Sequence, residues 1–259
     1  MAEPGGVLGY ARTVTAQARG RPGWLANIAW HITSYLVTNI TVAFAWVFFH
    51  VLNRTTVLGR KNVGEQPNTL LLSNHQSMID SIPIGTAAFY PKSWIKPYLV
   101  PWHPAARENF FKNRLIAWWS THTRCIAVRP GRRDLHALHK MMEVLPKGAI
   151  ILFPEGTRSR TGDVEDGRPG AGLLALATRP RIIPVAIDGM QDLLPIGASR
   201  PRIGQRIFIS FGTPVDYSEF ADGPRTRDTA QGIVDKVMEA IREQHAEIRR
   251  LRLQKRRPS

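Results

Sequence analysis

Cysteine, acidic side chains and metal-binding patterns are scarce in this 259-residue chain. Its one cysteine, Cys125, excludes an internal disulfide framework, and no Cys/His cluster has zinc spacing. A G-x-S-x-G nucleophile elbow is absent too, which argues against a serine hydrolase. The chain has 20 Asp and Glu against 35 Lys and Arg, a formal charge of +15. This surplus favours association with a polyanion, either nucleic acid or an anionic membrane.

Charge is also missing locally, because no charged side chain occurs between Trp24 and Arg54. A membrane span needs about 20 apolar residues, although a few Asn and His residues interrupt this run, and its Trp and Tyr residues favour a membrane interface. A buried core helix is the alternative. We predict a membrane-associated helical segment over residues 1–56, either one tilted helix or two short helices in one leaflet. A cleaved signal peptide is not expected.

Beyond Lys61 the pattern changes to short apolar segments separated by helical stretches. The segments predicted as strands lie at 68–74, 94–100, 125–130, 149–156, 181–188 and 206–212. This alternation is typical of an α/β fold with a largely parallel sheet flanked by helices. We assign the α/β domain to residues 57–220, and a basic C-terminal helix and tail to residues 221–259.

Two helices have apolar residues at helical spacing. One buried stripe is predicted from Leu135, Leu138, Met142 and Leu145, and the other from Ile233, Val237, Ile241, Ile248 and Leu251. His136 and His139 are three apart on the first helix, but no carboxylate or cysteine is near in sequence. They are therefore predicted to be surface histidines and not metal ligands. The basic C-terminal end is either a solvated charge run or a surface for anionic headgroups.

The segment "LLLSNHQSMIDSIPI" carries the first candidate site. A strand-like run ends at Asn74, and His75 and Asp80 follow at a spacing of five. Histidine titrates near neutral pH, and a carboxylate on its other ring nitrogen fixes the tautomer of the base. An aspartate at this position can equally cap a helix. The pair is a candidate proton-abstracting dyad.

A second constellation follows another predicted strand, where Glu155, Gly156, Thr157 and Arg158 come directly after "AIILFP". Open α/β sheets bind ligands at the carboxyl ends of their strands. Arg129 also follows a predicted strand, so His, Arg and the Glu/Arg pair end three of them. Because arginine offers a planar fork of donors, Arg129 and Arg158 indicate a phosphate-bearing substrate.

These blocks together resemble the 1-acyl-glycerol-3-phosphate acyltransferases, a PlsC-like family of glycerolipid enzymes. The matching blocks are an H-x-x-x-x-D motif, an arginine block, an F-P-E-G-T-R-S motif and an I-P-V core, found here at 75–80, 129, 153–159 and 183–185. Lys96 resembles a lysine of the family, although the residues around it differ. The family's glycine before the arginine block and its Lys-Gly after the third block are replaced here by "THTRCIAVR" and "GRPGAG".

The resemblance implies acyl transfer from an acyl-CoA or acyl carrier protein thioester to a hydroxyl of a lysophospholipid. His75 and Asp80 would then be catalytic, and Arg129, Glu155, Gly156, Thr157, Arg158 and Lys96 would bind substrate. Similar enzymes use no metal or other cofactor. An anionic membrane surface on the cytosolic side is the expected location, and nucleic acid is not an expected partner.

Three alternatives stay open from the residues alone. Cys125 is a nucleophile in principle, although a cysteine inside an apolar strand usually behaves as a small hydrophobe. A basic non-enzymatic protein that binds nucleic acid or membranes would explain the charge, but not the two motif blocks. Within enzymes, the acceptor could be a lyso-aminolipid or glycerol 3-phosphate.

Overall fold

Seven short strands organise the part of the chain that the computed structural model describes, residues 24–111, 113–129, 134–221 and 223–256. Their bounds are β1 Arg54–Leu58, β2 Thr69–Ser73, β3 His103–Ala106, β4 Cys125–Val128, β5 Ala149–Leu152, β6 Arg181–Asp188 and β7 Arg206–Phe211.

The strands form a largely parallel sheet. Its order is β1-β7-β6-β2-β5, and only the β6–β7 pair is antiparallel. Strands β3 and β4 form a parallel pair. Trp102, next to β3, bridges to Ile150 of β5 and so places this pair beside the main sheet. The predicted α/β fold with a largely parallel sheet is confirmed.

Nine helices were found in the described residues, apart from short 3-10 turns. Their bounds are α1 Trp24–Val47, α2 Ser81–Phe89, α3 Arg107–Phe110, α4 Arg114–His122, α5 Leu135–Val144, α6 Gly170–Thr178, α7 Met190–Leu193, α8 Ser218–Ala221 and α9 Arg227–Arg256. A π-helical turn, Phe48–Leu52, connects α1 to β1.

The core lies on both faces of the sheet. In β2, Leu70 and Leu72 pack into the layer that includes α5, α6 and α9, whereas Leu71 packs into the layer that includes α2. Successive side chains of a strand point to opposite faces. Because helices cover both faces, the central strands can be apolar throughout, which explains their unbroken hydrophobic runs.

Two details of the strand prediction are wrong. The segment 94–100 is not a strand but contains parts of two 3-10 turns, Lys92–Trp94 and Pro97–Leu99. Pro97 fixes its own φ and has no N–H to donate, which disfavours pairing there. Strands β1 and β3 were not predicted. Their sequences, "RTTVL" and "HPAA", lack the long apolar run that marks the other strands.

The predicted domain boundaries fall within connected structure. Strand β1 spans the boundary at residue 56 and pairs with β7. Beyond residue 220, helix α9 buries Ile233, Val237, Ile241 and Ile248 in the same core as β2. That apolar face is confirmed, whereas residues 1–23 and 257–259 of the predicted terminal segments lie outside the described residues.

The predicted apolar stripe of α5 packs in the core except at its first residue. Leu145 is fully buried, and Leu138 and Met142 are partly buried against the same core, whereas Leu135 is exposed. Leu135 is the first residue of the helix, directly after Asp134, whose carboxylate caps the helix by accepting from the amide of Ala137. The buried stripe therefore begins at Leu138, and Met141 and Val144 belong to the same face.

From Asn27 to Leu52, helix α1 and the π-helical turn form one apolar segment of 26 residues. It is long and apolar enough to cross a membrane. Only 22% of its most apolar stretch is buried. A core helix of a soluble protein would be mostly covered by the rest of the chain.

Candidate active site

The end of β2 is fixed to β6 by a side chain that imitates backbone pairing. Asn74 is fully buried, and its Nδ2 donates to the carbonyl of Ile187 at 2.9 Å. Its Oδ1 accepts from the amide of Ile187 at 2.8 Å. The chain therefore leaves the sheet at a fixed point, and His75 begins the turn that leads to α2.

His75 and Asp80 are in direct contact across that turn. The distance from His75 Nδ1 to Asp80 Oδ2 is 2.9 Å, and the Asp80 side chain is 0% exposed. The same Oδ2 accepts from the amides of Gln76 at 2.6 Å and Ser77 at 2.8 Å. With Nδ1 donating to the carboxylate, Nε2 is left to accept a proton. Asp80 precedes α2, but its side chain makes no capping hydrogen bond to the helix.

The loop after β5 lies against the histidine. The Phe153 ring stacks on the His75 imidazole with centroids 4.1 Å apart and planes 15° apart. The amide of Ser159 donates to the carbonyl of His75 at 2.8 Å. The imidazole thus has one face covered, while 18% of its side chain stays accessible.

Glu155 turns inward and is 2% exposed. Its Oε1 accepts weakly from the amide of Glu165 at 3.4 Å, and its Oε2 is buried without a hydrogen-bond partner. Burial is the main cause that raises the pKa of Glu155 to about 8, and the charges of Glu165 and Asp80 add to it. Gly156 follows with φ at +72°, a left-handed conformation that favours glycine.

The two arginines lie at the same edge of the sheet at different distances from the dyad. Arg158 is half-buried in the loop after β5, next to the exposed Thr157. Arg129 is exposed after β4, and its amide donates to Asp134 Oδ2 at 3.1 Å. Three strand spacings of about 4.8 Å each separate β4 from β2. The structure therefore brings His75, Asp80 and the Glu155–Arg158 loop together and leaves Arg129 farther away.

Lys96 lies near the amino-terminal ends of the strands, whereas the dyad lies at their carboxyl ends. Its ammonium group pairs with Glu65, which also pairs with Lys92. Glu65 precedes β2, whereas His75 follows that strand. The structure does not bring Lys96 to the other predicted site residues.

Cys125 and the remaining histidines do not form a second reactive centre in the described residues. Burial raises the pKa of Cys125 to about 11, and it also lowers the pKa of His103 to about 4. The two side chains contact at 3.1 Å as neutral groups, so the thiol is a poor nucleophile. His136 and His139 are exposed, and no group of three or more potential metal ligands occurs among the described residues.

One buried polar group beside the dyad was not anticipated from the sequence. Gln76 is 1% exposed, and its side chain bonds to Gly162, Asp188 and Met190. Its position directly after His75 was the only signal, because the partners are more than 80 residues away in the chain.

This chain is similar in sequence to known proteins. Tafazzin of Drosophila melanogaster is 26% identical over 245 residues, which are 86% of this chain and 63% of that protein. The 1-acyl-sn-glycerol-3-phosphate acyltransferase of Streptococcus pneumoniae is 27% identical over 157 residues, 60% of this chain and 53% of that protein. The chain thus spans between half and two thirds of the length of these two curated relatives.

A solved structure shows the same fold. The 1-acyl-sn-glycerophosphate (LPA) acyltransferase PlsC of Thermotoga maritima superposes with a TM-score of 0.62 at 24% identity, covering 96% of this chain and 90% of that one. Residues 54–188, just over half of the chain, match the family model described as Acyltransferase. This stretch contains the dyad and the Glu155–Arg158 loop. The chain therefore belongs to the acyltransferase family, and its resemblance to the PlsC-like glycerolipid enzymes is confirmed.

Proposed function

We propose that this protein transfers a fatty acyl group from an acyl thioester to the free hydroxyl of a lysophospholipid. The proposed acceptor is 1-acyl-glycerol-3-phosphate, and the product is phosphatidic acid. The observation that carries the proposal is the 2.9 Å contact between His75 Nδ1 and the buried carboxylate of Asp80. It leaves His75 Nε2 as a base at the edge of the sheet where parallel strands present their ligand sites.

In the proposed reaction, His75 Nε2 takes the proton of the acceptor hydroxyl as its oxygen attacks the thioester carbonyl. Asp80 holds the ring and stabilises the imidazolium that forms. The tetrahedral intermediate then collapses, the carbon–sulfur bond breaks, and the thiolate takes the proton from His75 Nε2. The products are an ester and a free thiol, and no acyl-enzyme forms.

The substrate-binding roles are also proposals. Arg158, beside the dyad, and Arg129, farther along the edge, would bind the phosphate of the acceptor. Exposed Gly156 and Thr157 would contact the same substrate, whereas Glu155 faces inward. The thioester is already activated, so acyl-CoA or acyl carrier protein serves as co-substrate and no metal or other cofactor is needed.

Membrane attachment through α1 is part of the proposal. Large apolar side chains are exposed along this helix, among them Trp24, Leu36, Ile40 and Phe44. More of them are exposed on the segments that α1 contacts: Trp94, Ile95, Leu115, Ile116 and Trp118. Tyr35 bonds to the carbonyl of Trp94, which ties two of these segments together. A large exposed apolar surface rich in tryptophan fits a membrane, here on its cytosolic side.

A second candidate keeps the reaction and changes the acceptor. Tafazzin, whose name specifies no lysophosphatidate, aligns over 86% of the chain, whereas the pneumococcal enzyme aligns over 60%. A lyso-aminolipid or glycerol 3-phosphate would then take the acyl group in the same site.

The deciding experiment uses purified full-length protein, a panel of acyl donors and lyso-lipids, and mass spectrometry of the products. We expect phosphatidic acid to form fastest from 1-acyl-glycerol-3-phosphate, with no product from a folded His75→Ala variant. Faster turnover of another lyso-lipid would favour the second candidate. No ester product with any pair would refute the acyltransferase proposal.

A further inference from the structure

Three loops at the catalytic edge meet at the side chain of Gln76. Its Nε2 donates to the carbonyl of Gly162 at 2.9 Å, in the loop after β5, and to Asp188 Oδ1 at 3.2 Å, at the end of β6. Its Oε1 accepts from the amide of Met190 at 3.1 Å, at the start of α7. Both amide hydrogens and the oxygen of this glutamine are therefore in use.

The backbone of Gln76 belongs to the dyad. Its amide donates to Asp80 Oδ2 at 2.6 Å, the same oxygen that contacts His75. The side-chain hydrogen bonds of Gln76 thus fix the orientation of its own backbone amide, which holds the carboxylate of Asp80. Asp80 Oδ1 is buried without a hydrogen-bond partner, so the position of the carboxylate depends on the bonds to Oδ2.

The C-terminal helix α9 holds the far end of this connection. Arg252 is 5% exposed, and its Nη1 donates to Asp188 Oδ2 at 2.9 Å. Its Nη2 donates to Asp192. Asp188 is buried and accepts from Gln76 through its other oxygen. A buried carboxylate needs such a partner, because a lone charge away from water is strongly unfavourable.

The backbone conformation at Gly189 leaves room for the side chain of Arg252. Gly189 adopts φ at +99°, and a Cβ there would lie 2.3 Å from the carbonyl oxygen of Arg206 and 3.1 Å from Arg252 Nε. His245 precedes Arg252 by about two turns of α9, and its Nε2 lies 3.4 Å from Gln76 Nε2 and 3.8 Å from Asp188 Oδ1. Burial is the main cause that lowers the pKa of His245, so arginine is the cation of this cluster.

We propose that Gln76 is a positioning residue for the His75–Asp80 dyad and that Arg252, through Asp188, makes the geometry of the dyad depend on helix α9. Arg252 lies outside the stretch that matches the family model, residues 54–188. The inference rests on the proposed function for its kinetic consequence. Its structural consequence, a fixed hydrogen bond from His75 Nδ1 to Asp80, does not.

The test replaces Gln76 by methionine, which keeps length and removes the three side-chain bonds. In folded Gln76→Met we expect kcat to fall about tenfold or more, because small displacements of reacting groups reduce rates steeply. The KM values for donor and acceptor should stay within about twofold. Gln244→Met is the matched control, since that glutamine lies on α9 and, among the described residues, its Nε2 bonds only to the carbonyl of Ala240.

An NMR measurement separates this inference from the reaction itself. The Nδ1–H resonance of His75, assigned by its loss in His75→Gln, should be sharp in the wild-type protein and in Gln244→Met, and broadened by exchange in Gln76→Met. This holds even if the wild-type protein transfers no acyl group. An unchanged resonance in Gln76→Met, together with kcat within twofold of wild type if the protein is active, overturns the proposal. A raised KM at unchanged kcat overturns it too, because Gln76 would then bind substrate.

A second variant decides the case if Gln76→Met does not fold. Arg252→Lys keeps a cation beside Asp188 but loses the fork that also binds Asp192. We expect a fall in kcat of about threefold at unchanged KM, with the same broadening of the His75 resonance. Arg250→Lys, an exposed position on the same helix, should match wild type. Identical behaviour of the two variants overturns the link to α9.

Discussion

At the scale of single residues, the site contains two buried carboxyl groups in different surroundings. Asp80 accepts from His75 and from two backbone amides, all through Oδ2. Glu155 receives one long bond from Glu165, and its other oxygen has no partner. In the proposed reaction Asp80 would support a charged imidazole, whereas burial favours the neutral form of Glu155 by raising its pKa.

Removing the proposed base should abolish the reaction and leave the fold intact. General-base assistance is worth about 10²–10⁴-fold, so His75→Ala should lose at least this factor in turnover. Asp80→Asn should lose a large part of the rate, because it cannot stabilise the imidazolium. Turnover and thermal melting of purified variants would be compared with His139→Ala, an exposed control. Near wild-type turnover in folded His75→Ala would eliminate the mechanism.

Glu155 predicts a pH dependence of stability. The carboxyl group has an ordinary pKa of 4.5 in the unfolded chain and a pKa of about 8 in the folded protein. Between these values only the folded protein binds the proton, so stability falls as pH rises from about 5 to 8. Glu155→Gln has no such titrating group, so its stability should depend less on pH. Between about pH 5 and 8, the melting temperature of the wild type should fall by about 2–4 °C or more relative to that of Glu155→Gln. Parallel melting profiles would show that Glu155 is charged in the folded state.

Arg129 and Arg158 predict how the acceptor is bound. Replacing either by lysine keeps the charge but removes the bidentate fork. Hydrogen bonds to charged groups contribute about 1.5–3 kcal/mol, so the KM for phosphate-bearing acceptors should rise about tenfold. Arg160→Lys, an exposed neighbour in the same loop, is the control. Unchanged KM in both variants would indicate another phosphate site or a neutral acceptor.

At the scale of elements, helix α1 is attached to the enzyme by a narrow set of contacts. Thr38 donates to the carbonyl of His122 at 2.7 Å, and the Trp119 indole donates to Thr41 at 3.1 Å. Most of its large apolar side chains remain exposed. A truncation at Val57 would also remove three of the five residues of β1 and their pairing with β7. Substitutions on α1 therefore test its role more cleanly.

Changing one apolar stripe of α1 should weaken membrane retention. Leu36, Ile40 and Phe44 are exposed at a spacing of four residues. Burying each such side chain in an apolar environment contributes about 1.5–3 kcal/mol, so their triple replacement by serine should make the protein extractable at high salt. The wild-type chain should stay with membranes through a carbonate wash. Leu135→Ser/Leu253→Ser, at exposed positions on α5 and α9, is the control. Wild-type protein in the soluble fraction at low salt would contradict the attachment.

At the scale of the whole molecule, charge and apolar surface make separate contributions to membrane binding. The formal charge is +15, and each basic residue near an anionic surface is worth about 1 kcal/mol. Salt screens this attraction but not the burial of apolar side chains. The two contributions can therefore be separated by ionic strength.

Vesicle binding of the full chain should reveal both. We expect binding to anionic vesicles to weaken as salt rises and then to level off, whereas binding to neutral vesicles should be weaker and insensitive to salt. The α1 triple variant should lose the neutral-vesicle binding. Duplex DNA should not displace the protein from anionic vesicles at about 0.15 M salt, where exposed charges beyond about 8 Å are screened. Displacement there would favour a nucleic-acid partner.

The sequence by itself determined the fold class and the core of the candidate site. Alternating apolar segments and helical stretches predicted a largely parallel sheet, and the carboxyl ends of parallel strands share one edge. The five-residue spacing of His75 and Asp80 lies within one turn, so their contact is local. The Glu155–Arg158 loop could be assigned to the same edge, because it directly follows a strand of the parallel sheet.

Only the tertiary structure decided which residues distant in sequence lie at the site and which lie away from it. Gln76 meets Asp188 at a separation of 112 residues, and Arg252 reaches Asp188 across 64. Such contacts depend on strand order and helix packing, which no local period encodes. The structure likewise turned Glu155 inward, paired Lys96 with Glu65 on the other side of the sheet, and left α1 largely uncovered. Each of these outcomes follows from which surfaces the fold brings together, and a linear pattern of residues does not contain that information.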